Sequence, residues 1–205
     1  MMKQSQFKLS HLGAVIALSV VTATANAETL SVPAAATVDN TINFALTGTF
    51  DVGTIRATVD ADNTECTGVV IPANPATATS TFTGAPCGGG AGDAELQIVG
   101  GTITRPQFDI TGLASFTTLN LTLPSAAVNL TLNPAPAGAP VLQLVNFTGY
   151  QTSGTPAAVT TTVTADASGN ISFLVGASLI TDPGTPTLAY ENTGYAGSFD
   201  VTVAY

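Results

Sequence analysis

Tryptophan is missing from the 205 residues, and cysteine occurs only twice. Lysine and histidine are nearly absent: Lys3, Lys8 and His11 all stand close to the start. Beyond them the only cations are Arg56 and Arg105, against 13 acidic residues. Each scarcity closes a class of function. A Ser or Cys nucleophile has no His or Lys to activate it. Histidine-ligated zinc or iron has no ligand. A pair of carboxylates remains the one route to catalysis, and neither enzymatic activity nor a cofactor is expected. So acidic a surface repels phosphate, which removes nucleic acid and disfavours anionic lipid as partners. An outer-membrane barrel needs two aromatic girdles, and an aromatic content of 6% without Trp is too small for them.

Apolar runs are scarce too. The longest spans Leu12 to Val21, preceded by Lys3 and Lys8 and followed by Ala25-Asn26-Ala27. Basic, apolar and small-residue regions in that order read as a secretory signal peptide, cleaved between Ala27 and Glu28. The run is shorter than the ~20 residues of a membrane-spanning helix. No later segment is long and apolar enough to span, so none is expected after cleavage. The expected location is periplasmic, extracellular or on the cell surface. In such an oxidising space, Cys66 and Cys87 are expected to form a disulfide.

What the chain does contain is alternation. Tyr195, Phe199, Val201, Val203 and Tyr205 share one parity, with Ala196, Ser198, Asp200, Thr202 and Ala204 between them. Period two places one set in a core and the other in solvent. Gly194 to Tyr205 is therefore expected to be a core strand that ends the fold. The same pattern marks Ile42, Phe44 and Leu46, and its phase changes across Gly53, where a bulge is expected. Glu95–Val99 and Gln107–Ile110 are further strand candidates. Leu119–Leu123 and Val128–Leu132 read as a hairpin about Ser125-Ala126-Ala127. Val159–Val163 and Ile171–Val175 read as another, about Asp166-Ala167-Ser168-Gly169-Asn170. Val141–Phe147, apolar on both faces, reads as a central strand. No helical spacing occurs beyond the leader. The expected fold is all-β: an antiparallel immunoglobulin-like or pilin-like β-sandwich forming one domain over residues 28–205. Residues 28–40 form an extended N-terminal arm. Residues 60–92 form a disulfide-stapled loop insertion with short strands near Val69–Ile71 and Thr77–Phe82.

Several of these segments resemble a group of secreted bacterial proteins, the family termed domain of unknown function 4402. Pro106 to Gly112 resembles its "F-x-V-T-G" opening, and Leu119 to Pro124 its "tltlP" strand. Val175 to Leu179 resembles "v-G-g-t-L", and Phe50 to Ile55 resembles "l-d-F-G-x-i". Gly194 to Tyr205 is similar to the closing "G-x-Y-x-G-x-F-x-V-x-V-x-Y" strand. The resemblance covers about Arg105 to Tyr205 and implies a secreted or surface-displayed structural protein, near fimbrial subunits.

Two functional expectations follow. The first is a structural subunit that self-associates by strand addition. The donor is the arm, through Leu30 and Val32 or through Ile42, Phe44 and Leu46. The acceptor is the edge of the terminal strand, through Tyr195, Phe199, Val201, Val203 and Tyr205, or its neighbour. The alternative is a monomeric module that binds a surface glycan or host protein through residues 60–92, or through Tyr150, Tyr190 and Tyr195. Asp60, Asp62 and Glu65 read as a solvated acidic turn and, secondarily, as a calcium set. They depart from the EF-hand loop, which carries Gly where Glu65 stands.

Overall fold

The computed structural model describes residues 33–37, 41–60, 65–87 and 92–205. Met1–Asp39 and Asn40–Tyr205 are separate compact units. In the first, residues 33–37 are exposed and without regular structure. The expected leader, its cleavage site at Ala27 and Glu28, and Leu30 and Val32 lie outside the described residues. Among the described residues no helix is long and apolar enough to cross a membrane.

All described strands lie in the second unit and every pairing is antiparallel. The fold is all-β and sandwich-like. Its centre is β12 (Ile171–Ile180), whose first half pairs with β6 (Gln107–Thr111) and second half with β3 (Gly68–Ile71). β9 (Leu142–Gln151) runs along its other side. β1 (Asn43–Thr47) lies outside β6, and β4 (Ser80–Thr81) outside β3. β8 (Val128–Leu130) and β10 (Ala157–Val159) flank β9. These strands make one large sheet.

Two smaller sheets make the facing layer. β7 (Thr118–Thr122) sits between β11 (Thr162–Thr164) and β13 (Thr202–Ala204). β2 (Thr54–Thr58) pairs with β5 (Glu95–Gly100). Alternation explains what each buries. Leu119, Leu121 and Val163 meet Phe108, Ile110, Ile171, Phe173 and Val175 in one core cluster. Ile55, Ala57, Leu96 and Ile98 pack on a second, formed by Val52, Ile71, Leu142, Leu144, Ala177 and Leu179. Gln151, buried on β9, braces main sheet to second layer: its side chain accepts from Thr164 N and donates to Thr164 O.

A third cluster lies on the remaining face of the main sheet. There Cys66 and Cys87, joined as a disulfide across 21 residues, pack with Phe82, Val145 and Ile180. This explains why residues 176–181 are buried throughout while Ile171–Leu174 alternate. The register shifts across Gly176/Ser178, opposite Asn146 at a φ of 51°. The bulge moves Leu142 and Leu144 onto one face and Phe147, Gly149 and Gln151 back onto it beyond the extra residue. Gly176 is needed there, because a Cβ would strike the backbone of Ile71, Pro72 and Ala73.

The expected elements recur with two corrections. Neither hairpin forms: β7 and β8 belong to different sheets, and β11 pairs with β7 while β12 pairs with β3, β6 and β9. Each turn residue set instead carries the chain between layers, so that both flanking strands reach a core. The Asp166–Asn170 turn itself is present, with the Asp166 carboxylate accepting from Ser168 N and Asn170 N. The closing strand is shorter than its alternation implies, since ladder pairing covers only Thr202–Ala204. Within residues 60–92 the expected strand near Val69–Ile71 is present as β3, which lies in the main sheet with Ile71 fully buried.

Candidate functional site

The closing segment explains the shortened strand. Its alternation is realised: Tyr195, Phe199, Val201 and Val203 are half-buried and the residues between them are exposed, while Tyr205 remains open to solvent. Yet before Thr202 the backbone is tied at one place, where Ala196 and Thr131 exchange both amide hydrogen bonds. No described partner takes a backbone hydrogen bond from residues 197–200. Phe199 anchors this segment by packing on Phe147 at a ring separation of 4.8 Å and edge-on to Phe50 at 6.4 Å.

Beside this segment lies an open cleft of about 1110 Å³. One wall is the unbroken run from Gly48 to Ala57, the other the unbroken run from Tyr190 to Phe199. A strand showing one face would contribute every second residue. Each wall therefore presents a backbone edge. At its base lies the main sheet through Leu130, Leu142, Leu144 and Leu179, of which the last three are at most 4% exposed beneath Phe50, Tyr195 and Phe199. Leu46 and Val99 border it and are 61% and 53% exposed. Among the described residues β2 is paired only with β5, and β13 only with β7, so the facing layer is interrupted here.

Local chemistry fixes the walls. Gly53 takes a φ of 78°, its amide donates to the Asp51 carboxylate, and a Cβ there would strike the backbone of Gly100 and Gly101. The phase change at Gly53 is taken up by this left-handed backbone and not by a bulge in its own strand: the register shift comes between Thr54 and Ile55, with the extra residue, Val99, on β5. On the other wall Tyr190 donates its hydroxyl to Val141 O and accepts from Asp182 N, both at 2.8 Å. Asp182 in turn accepts from Val141 N and Gly184 N. Burial pushes the Tyr190 phenol well above its ordinary range, against the opposing effect of the Asp182 backbone bond. Tyr195 stands edge-on to Tyr190 and accepts from Glu191 N. These two tyrosines are braces of the wall. Tyr150 lies on β9, half-buried and away from both.

The other sequence candidates are placed as follows. Phe44 and Leu46 are on β1, already paired with β6, and Phe44 stacks on Phe108 at 5.5 Å. Half-buried Ile42 packs against the first core cluster. That part of the expected donor is thus built into the sheet. Asp60 is buried, Glu65 is half-buried, and both carboxylates face the Cα of Gly92. Asp62 lies outside the described residues. Among the described residues no three His, Cys, Asp or Glu side chains gather, whereas calcium takes six to eight oxygens.

Alternation marks the residues of the second wall, which the structure leaves largely unpaired where a paired strand is expected. In the first wall it shows only as a change of phase. The missed signal lies at Gly48 and Gly53, which flank Phe50 and Val52 and keep β1 and β2 from being one strand. The chain matches no protein-family model, no curated protein and no solved structure.

Proposed function

We propose that this chain is an exported structural subunit that assembles by strand addition at the cleft. An extended segment of a second copy, from residues 28–40, lies between β2 and the 197–200 edge. It completes the facing layer and sinks Leu30 and Val32 toward Leu142, Leu144 and Leu179. The observation that carries this reading is the pair of unpaired backbone edges, β2 and residues 197–200, that flank a cleft bordered by exposed Leu46 and Val99. Exposed edges invite such pairing unless they are blunted, and main-chain bonding with alternate side chains in a groove is the general mode of strand addition. The disulfide is consistent with an oxidising, exported location. The immunoglobulin-like or pilin-like assignment, and the signal peptide, belong to the same proposal.

Self-association of so acidic a chain carries a signature. Copies of net charge −9 or below repel, so salt should promote assembly by screening. The test is electron microscopy and size-exclusion chromatography of residues 28–205 beside a form lacking residues 28–40. Filaments or oligomers from the first alone support the proposal. Unchanged assembly by the shortened form removes the arm as donor.

A further inference from the structure

A second surface shares no residue with the cleft and bears on recognition. In the loop between β6 and β7, Thr117 N donates to Ala114 O at 3.2 Å and closes a turn. Phe116 occupies its third position with a φ of 61°. A turn of this kind favours Gly or Asn there, because left-handed backbone is costly for a bulky side chain. The ring gains nothing from the core either: at 69% it is the most exposed large apolar residue of the described chain. The Phe116 amide is held by Asp166 O at 3.3 Å, and Ser115 Oγ donates to Ala167 O at 2.7 Å, so the turn is fixed against the β11–β12 connection. Neither the turn nor the packing calls for Phe. Unexplained backbone strain of this sort points outward, to a ligand.

The surroundings define the ligand's chemistry. Phe116 borders a depression of about 730 Å³ whose lining includes Thr155, Thr160, Thr162 and Ser168. The lining holds no cation, and its single acid, Asp166, has one carboxylate oxygen occupied by two amides. An anionic ligand finds no counter-charge, and a cationic one only the Asp166 carboxylate, which two amides already hold. A wholly apolar one leaves hydroxyls without partners. A neutral ligand with an apolar face and hydroxyls at its edge satisfies both the ring and the threonines.

We infer that Phe116 and this depression form a saccharide-binding site, with the ring stacking on the C–H face of a pyranose. The site does not depend on assembly at the cleft, and either stands if the other fails. The test is amide NMR of the disulfide-bonded protein titrated with methyl β-galactoside, methyl α-glucoside and chitotetraose. At least one sugar is expected to shift Phe116, Thr160, Thr162 and Ser168 together at millimolar concentration. Phe116→Gly should weaken that binding about tenfold while raising Tm, since glycine relieves the turn. Phe116→Trp should retain or tighten it. The proposal is overturned if no sugar shifts these amides, or if Phe116→Gly binds as well as the parent. A fall in Tm in Phe116→Gly likewise overturns it, because the ring would then be structural.

Discussion

The two halves of the fold are built on the same long strand but finish differently. Over the first half of β12, three paired strands close the facing layer, and Ile110, Leu119, Val163, Ile171, Phe173 and Val175 are at most 1% exposed. Over the second half, Leu142, Leu144, Ala177 and Leu179 are also buried, at most 4% exposed, but β2 and the 190–199 segment do not pair with each other, and Leu46 and Val99 at the border of the cleft between them are 61% and 53% exposed. The contrast separates two uses of apolar residues. Where neighbouring edges pair, alternation makes a core. Where they do not, it leaves backbone edges unpaired and apolar residues such as Leu46 and Val99 exposed.

Substitutions can sharpen that contrast. The largest effect is expected in the closed half. Phe173→Ala, removing a fully buried ring stacked at 5.2 Å on Phe108, should destabilise by about 3–5 kcal/mol, read by denaturant titration. Loss of the disulfide in a Cys66→Ser/Cys87→Ser form should cost about 3 kcal/mol, measured the same way. It should loosen the third cluster around Phe82 and Ile180 without opening either layer.

A smaller effect is expected at the braced wall. Tyr190→Phe removes one hydroxyl and two hydrogen bonds, costing about 1–2 kcal/mol. The Tyr190 phenol is raised in the folded state. Its contribution is therefore complete below the unfolded value near 10 and is lost as pH rises above it. Thermal melts should show the parent falling more steeply than Tyr190→Phe above about pH 10. The smallest change in stability is expected at the open half. Leu46→Ser, at a residue 61% exposed, should alter stability by no more than about 0.5 kcal/mol yet impair assembly in the size-exclusion assay. A large loss of stability there would mean that the cleft is core, and the contrast would fail.

The strands themselves were legible because period two is a local signal. Phe108 and Ile110 on β6, Leu119 and Leu121 on β7, and Ile171, Phe173 and Val175 on β12 announce their inward faces in sequence. The disulfide was legible from two cysteines and a leader-like start. Strand partners were not, because pairing is a long-range choice. Ser125-Ala126-Ala127 looks like a hairpin turn, yet Leu121 and Leu130 serve different clusters. The cleft was legible only in part. Tyr195 and Phe199 show the right alternation, but nothing in that stretch tells that its neighbouring edge is vacant. Phe116 carried no periodic signal at all, since its interest lies in a backbone angle.

The most direct measurement is amide hydrogen exchange of residues 41–205, with and without a saturating synthetic peptide of residues 28–40. If an extended segment completes the layer, amides of Gly197, Ser198, Phe199 and Asp200 and those of the β2 edge should gain protection together, while Phe173 and Ile110 stay as protected as before. Protection elsewhere, or none at the two edges with the peptide bound, would contradict strand addition at the cleft.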